Sequence, residues 1–429
     1  MLTRLDLRGL DGDLRSRLPR PHDSEAAPTD AVREILAEVR KRGDAAVREY
    51  TQRFDGVALD DLRVEPAELA AALRATPPEL REALEVAQAN IVAFHRTQLR
   101  RDGRHERDGV VVRERRRPVD RAGLYVPGGR ARYPSTVLMT AIPARVAGVE
   151  QLVLCVPPDA DGRVASVTLA AAALADVDEV YSIGGAQAVA AMAYGTDTIG
   201  AVDVIVGPGN VWVATAKREV AAEGVVGVPS AFTGPSEVVV VADDTTPPAL
   251  AAIDLIVQAE HGPDGLAWLI TWSEGTADAV TREVARRVAA SPRRADIEST
   301  LTGNGYAVVV DGPDQAMTVA NLIAPEHLQL MSADPEMLVP LVRSAGAVFC
   351  GWYAPASVGD YVAGPSHVLP TFGSARFAGA LRVDDFLKQL HVVSVDEATL
   401  ARLAPHVAAI AEAEGLVHHA ESVRLRGEL

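Results

Sequence analysis

The chain has 429 residues, about three times an ordinary domain, which leaves ample material for two large domains and appendages. Hydrophobic residues make up 48% of it, as in an ordinary globular protein. A formal charge of −16 excludes nucleic acid or an anionic membrane as the natural partner, because a polyanion is repelled unless the basic residues segregate on one face.

Residues 1 to about 25 are charged and carry Pro19 and Pro21, which reads as an arm. From Asp30 a helical period begins, with Val32, Ile35, Leu36 and Val39 behind a Pro28-Thr29-Asp30 start. A second helix follows Thr76-Pro77-Pro78 and runs through Leu80, Leu84, Val86 and Ile91 toward Phe94. It leads into the arginine-rich stretch from Arg96 to Arg117, where Val110-Val111-Val112-Arg113 is a short strand. No aromatic residue interleaves with those arginines, so the stretch reads as a solvated hairpin or loop, with an anion-recognition patch as the other option.

Beyond Pro118 the texture changes to β-branched runs followed by glycine turns and alanine-rich helices. Strands are expected at 149–156, 179–183 and 202–206. A second block of the same grammar starts near Ser236. It has strands at 238–241, 267–271 and 306–310, a helix at 249–260 and another through Val280 and Val288. Such alternation predicts parallel sheets with crossover helices. From about Arg376 the chain becomes a small tail: a strand-like 390–395, a helix through Leu400, Leu403, Val407 and Ile410, then Glu414-Gly415-Leu416-Val417-His418-His419. The expected division is an arm (1–25), a discontinuous α/β domain (26–118 and 235–375), an inserted α/β domain (119–234) and the tail (376–429).

Cys155 and Cys350 each sit inside an apolar run and read as reduced, buried core thiols. Met1–Asp6 lacks an apolar signal core, and no run of about 18 uncharged apolar residues occurs, so a soluble cytoplasmic protein is expected.

Four glycine loops are expected at strand ends: Tyr125 to Gly129, Gly184-Gly185-Ala186-Gln187, Gly207-Pro208-Gly209-Asn210 and Gly234-Pro235-Ser236-Glu237. In open α/β sheets, ligands lie across the carboxyl ends of strands, where glycine lets backbone N–H groups approach phosphate. None of the four is a full dinucleotide fingerprint, but together they point to a nucleotide site. Gln258 and His261, three apart at the end of a predicted helix, share a face. They read either as a capping or core-polar pair or as metal ligands. Asp360 and His367, in the run from Ser357 to His367, add a carboxylate and an imidazole on glycine-rich loops. That nitrogen and oxygen set suits zinc or another borderline divalent ion. Pro325 fits the first turn of a helix, which would place Glu326 and His327 at the positive end of its dipole, each able to accept a proton near neutrality. The bland reading is a helix-capping Glu beside a packing His.

In order, these segments together with Pro325-Glu326-His327-Leu328, Gly359-Asp360-Tyr361 and Ser366-His367-Val368-Leu369-Pro370-Thr371 resemble the histidinol dehydrogenase family over nearly the whole chain. The resemblance implies an α/β fold of two Rossmann-like, aldehyde-dehydrogenase-like parallel-sheet domains with small N- and C-terminal extensions. It also implies a cytoplasmic, NAD-dependent oxidation of L-histidinol to L-histidine through a retained aldehyde, with one zinc per subunit. By that correspondence Gln258, His261, Asp360 and His419 hold zinc. Tyr125, Gln187 and Asn210 line the NAD site of the 119–234 domain. Ser236, Gln258, His261, His327, Asp360, His367, Glu414 and His419 touch substrate, while Glu326 and His327 are catalytic. Of the adjacent His418 and His419, counting from Glu414 selects His419. The tail is expected to reach a neighbouring subunit, making a homodimer with a shared active site. A zinc-dependent hydrolase, with Glu326 activating a metal-bound water, is the competing enzyme reading. Metal storage or a scaffold is the non-enzymatic one.

Overall fold

The structure is a computed structural model that describes residues 1–10, 12–19, 27–128, 132–229, 236–260 and 265–428. Thirteen strands run through the described residues. The first seven are β1 (Thr3–Asp6), β2 (Gly103–Arg107), β3 (Val110–Pro118), β4 (Arg121–Tyr125), β5 (Gln151–Cys155), β6 (Glu179–Tyr181) and β7 (Val204–Val206). The others are β8 (Glu237–Ala242), β9 (Leu266–Thr271), β10 (Gly305–Val309), β11 (His327–Met331), β12 (Ala347–Cys350) and β13 (Leu387–Ser394). The chain divides into two compact units, one of residues 1–98 with 120–386 and one of residues 99–119 with 387–429.

The first unit holds two all-parallel sheets. The larger has the order β1-β10-β9-β8-β11-β12 and the smaller β6-β5-β4-β7. The run Glu-Val-Val-Val-Val-Ala of β8 is buried throughout because helices cover both faces of the large sheet. Strand alternation divides that run between two cores. Val238 and Val240 pack with Ala251, Leu255, Val280 and Val284 of the helices Pro248–Ala259 and Glu274–Ala289. Val239 and Val241 pack instead with Ala316, Met317 and Ala320 of the helix Pro313–Ile323. In the smaller sheet, Val153 and Ile205 pack under the alanine-rich helix Gly185–Tyr194, which also meets Val32, Ile35, Leu36 and Val39 of the helix Thr29–Arg42. The first residues, expected as an arm, contribute β1 to the edge of the large sheet.

The second unit is an antiparallel sheet, β13-β3-β2, with the helices Glu397–Ala413 and Val417–Arg426. The arginine-rich stretch forms the β2–β3 hairpin, turned by Asp108 and Gly109, both at positive φ. Arg115 pairs with Asp102 at 2.7 Å and Arg104 with Glu106 at 2.5 Å, so acidic neighbours answer much of its charge.

Four local expectations are corrected. Pro325 does not begin a helix: the helix Pro313–Ile323 ends at Ala324 in the left-handed conformation, and Pro325 follows as a stop signal. Glu326 and His327 accordingly enter β11. Asp360 lies on the short helix Ala356–Tyr361 instead of a loop. The fourth glycine motif leads into β8 and does not follow a strand, although Gly234 and Pro235 themselves lie outside the described residues. Cys155 is fully buried, whereas Cys350 ends the edge strand β12 half-buried, 3.5 Å from Glu336 Oε1.

Candidate active site

His327 is the first residue of β11, and its ring is 5% exposed. Its Nδ1 donates to the carbonyl oxygen of Glu237 at 3.1 Å and lies 3.3 Å from Gln258 Nε2 and 3.5 Å from Glu326 Oε2. Its Nε2 lies 3.4 Å from Asp360 Oδ1. Each neighbour arrives by a different route. Glu326 directly precedes His327, and its Oε2 accepts a hydrogen bond from the Glu237 amide at 2.9 Å. Gln258 comes from the last turn of the helix Pro248–Ala259, which runs back to the amino ends of the strands. Asp360 is set by Phe349 on β12, whose ring stacks over His327 with centroids 5.8 Å apart. A Cβ on Gly359 would stand 2.5 Å from that ring, so only glycine lets the short helix lie this close and bring Asp360 to the imidazole.

Burial works against a charge on His327, but Glu326 and Asp360 more than reverse it and raise its pKa to about 10. The positive helix end expected from Pro325 is absent, and two carboxylates take its place, so the proton affinity of the imidazole is raised instead of lowered. Burial, followed by repulsion from Glu326, raises the Glu237 carboxyl to about 8. His367 has its own partners: Nδ1 donates to the Asp360 carbonyl at 2.9 Å, and Nε2 lies 3.0 Å from Thr136 Oγ1. Burial lowers the pKa of His367 in spite of Asp360.

A second cluster forms at the carboxyl ends of the small sheet. Tyr125, at the end of β4 and 3% exposed, accepts a hydrogen bond at its hydroxyl from the Gly185 amide at 3.1 Å. Gly207 has φ +108°, and a Cβ there would lie 2.1 Å from the Tyr125 carbonyl oxygen, so the loop after β7 rests directly on the end of β4. Asn210 caps the helix Val211–Ala222, with Oδ1 accepting from Trp212 and Val213 at 3.1 Å each. Gln187, 1% exposed, has both amide atoms buried without a hydrogen-bond partner. A buried amide in that state is suited to receive a ligand.

The first unit therefore brings Glu326, His327, Gln258, Asp360 and His367 together at the amino ends of the large sheet, and Tyr125, Gln187 and Asn210 onto the loops of the small one. Ser236 lies just before β8, its carbonyl accepting from Leu266 at 3.1 Å. His261 lies outside the described residues. Glu414, His418 and His419 are exposed in the second unit, His419 on the helix Val417–Arg426. Among the described residues no three His, Cys, Asp or Glu side chains form a group able to hold a metal. Gln258 Oε1 is nonetheless a buried acceptor with no hydrogen-bond partner, which leaves its lone pairs open to a ligand. Sequence reasoning gave no role to Glu237 or Thr136. Glu237 stood in the motif beside Ser236, while nothing local marks Thr136.

A family model described as histidinol dehydrogenase matches residues 18–427. The chain belongs to the histidinol dehydrogenase family. A histidinol dehydrogenase of Synechococcus sp. is 50% identical over 411 residues, covering 95% of this chain and 94% of that protein. One of Moorella thermoacetica is 48% identical over 400 residues, covering 92% and 94%. The crystal structure of histidinol dehydrogenase from Elizabethkingia anophelis superposes with a TM-score of 0.93 at 34% identity, covering 98% of this chain and 97% of that one. Membership of the histidinol dehydrogenase family makes the chain an oxidoreductase and sets aside the hydrolase and non-enzymatic readings.

Proposed function

We propose that this chain oxidises L-histidinol to L-histidine in two steps through a retained aldehyde, consuming two NAD, in the cytoplasm. The observation that carries the reading is one buried imidazole, His327, set between the carboxylates Glu326 and Asp360 and beside Gln258, whose Oε1 has no hydrogen-bond partner. No helix of the described residues is long and apolar enough to cross a membrane, which is compatible with that location.

Zinc fits the donors: Gln258 and Asp360 flank His327, and His261 and His419 would complete a nitrogen and oxygen set. When bound, the ion would supply positive charge that draws the substrate's imidazole and amino nitrogens into place and lowers the proton affinity of neighbouring groups. NAD fits the second cluster, where Gln187 offers a free amide, Tyr125 and Asn210 frame the glycine loops, and the dinucleotide would supply the hydride acceptor.

His327 Nδ1 is occupied by the Glu237 carbonyl, so Nε2 is the nitrogen that exchanges protons. In its neutral form that nitrogen takes the hydroxyl proton of the alcohol as hydride leaves the adjacent carbon, and the proton affinity raised by Glu326 and Asp360 favours the transfer. In the second step Glu326 draws a proton from water as the water oxygen adds to the aldehyde, while protonated His327 returns its proton to the carbonyl oxygen; the neutral imidazole then takes a proton of the resulting diol as the second hydride leaves. His367 and Ser236 hold the substrate in place. Burial at the amino ends of the large sheet excludes competing water from the aldehyde. Glu414 and His419 are supplied by the partner subunit of a homodimer, so each site is completed in trans.

The test is a stoichiometry: NADH formed per histidinol consumed, read at 340 nm with and without a chelator. Two NADH per histidinol, lost on chelation, is expected; one NADH with free aldehyde released would refute the retained intermediate.

A further inference from the structure

Lys217 is 0% exposed, on the helix Val211–Ala222, and belongs to neither the proton-transfer group nor the residues assigned to NAD. Its Nζ donates to the carbonyl oxygen of Gly207, ten residues earlier in the chain. Side chains on a helix lean toward its amino end, so a lysine two turns inside can reach along the axis to the loop that precedes it. Burial alone lowers its pKa to about 7, with no carboxylate acting against it among the described residues. A buried amine without an acid partner is costly, and a methionine would fill the same space without that cost.

What the amine holds explains its presence. Gly207 is the residue whose backbone rests on the Tyr125 carbonyl, and Tyr125 receives the Gly185 amide at its hydroxyl. Three residues beyond Gly207, Asn210 caps the helix that carries Lys217. The loop 207–210 is therefore fastened to this helix at both ends, by the Asn210 cap at one and by Lys217 at the other, and its Gly207 end also leans on β4. Loss of the amine would leave the Gly207 carbonyl without that donor and release the loop at one end.

We propose that Lys217 is a positioning residue for the dinucleotide, its amine clamping the Gly207–Asn210 loop against the end of β4 so that Tyr125 and Asn210 keep a fixed spacing. The role rests on the NAD reading above and goes beyond it, since Lys217 itself touches no ligand.

The experiment compares wild type, Lys217→Met and Lys217→Gln, the last retaining an N–H donor. NAD affinity is measured calorimetrically on the metal-free protein, and KM for NAD, KM for histidinol and kcat on the zinc-loaded one. Lys217→Met is expected to weaken NAD binding about tenfold, the scale of one buried hydrogen bond. KM for NAD should rise in parallel, with much smaller changes in kcat and in KM for histidinol, and Lys217→Gln should recover most of the loss. Unchanged NAD affinity in Lys217→Met overturns the role, as does a loss in every constant that Lys217→Gln fails to relieve. If Lys217→Met does not fold, Lys217→Gln decides: NAD affinity within about threefold of wild type supports the clamp, and a larger loss overturns it. A wild-type chain that neither binds nor reduces NAD overturns the functional reading and this role with it, whereas normal NAD use in both wild type and Lys217→Met overturns the role alone.

Discussion

His367 Nε2 and Thr136 Oγ1 stand 3.0 Å apart, joining the segment after β12 to the first turn of the helix Pro134–Ala147 that follows β4. The helix that follows β4 thus meets the segment that carries His367. With Nδ1 donating to the Asp360 carbonyl, the lowered pKa of His367 leaves Nε2 as an acceptor for the threonine hydroxyl.

Thr136→Val keeps the shape and removes that donor. An unsatisfied buried acceptor costs about 1–3 kcal/mol, so KM for histidinol should rise about tenfold with little change in KM for NAD. Steady-state kinetics with each substrate varied separately will show it, and equal effects on both constants would mean that the contact holds the fold and not the substrate.

Glu326→Gln should separate the two half-reactions. The amide can still accept from the Glu237 amide, so the geometry survives, but it cannot take a proton from water. Oxidation of added histidinaldehyde should fall about 100-fold or more, the scale of a lost general base, and oxidation of histidinol to the aldehyde far less. Equal losses in single-turnover measurements of each step would refute the division of labour.

Glu237 makes a prediction in pH. Burial, then the charge of Glu326, raises its carboxyl from 4.5 to about 8. Between those values the folded chain keeps a proton that the unfolded chain has lost. Its contribution is therefore fully present below about pH 4.5 and disappears as pH rises through about 8. Glu237→Gln, neutral throughout, escapes the loss. Its thermal stability relative to wild type in the metal-free protein should improve from pH 4.5 to 8, by on the order of 2–4 kcal/mol. A pH-independent difference would show that this carboxyl ionises normally.

A site shared between subunits, as proposed, predicts complementation. Asp360→Ala and His419→Ala chains should each be inactive and bind little zinc. A mixed dimer should regain one intact site, and with it about a quarter to a half of wild-type activity and metal content, an estimate from site counting in a symmetric dimer. No recovery in a verified heterodimer would rule out the partner's contribution.

Much of this protein is readable before any coordinates. The β-branched runs of β5, β8, β9 and β10 and the helix at 248–259 lie within a few residues of their expected places, because burial on both faces demands continuous apolar strands. The glycine turns after β4, β6 and β7 were equally plain, since closely packed backbone leaves few choices of residue, whereas the arginine-rich stretch stayed open between hairpin and loop until the Asp108-Gly109 turn decided it. Pro325 misled because proline serves both as a helix starter and as the residue just past a helix end, and only the preceding turn through Ala324 separates the two.

Residue types alone determined that the chain would be α/β and marked Gln258, Glu326, His327, Asp360 and His367 as chemically able side chains. Chain folding alone decided that His327 starts a strand, with carboxylates from Glu326 and Asp360 on either side of it. It also decided that Glu237 and Thr136 belong to the same neighbourhood and that Lys217 is sealed beneath the loop it holds. The reason is range: backbone preference and hydrophobic period act over a few residues, while proton affinity depends on which distant charges the packed sheets bring within a few ångströms.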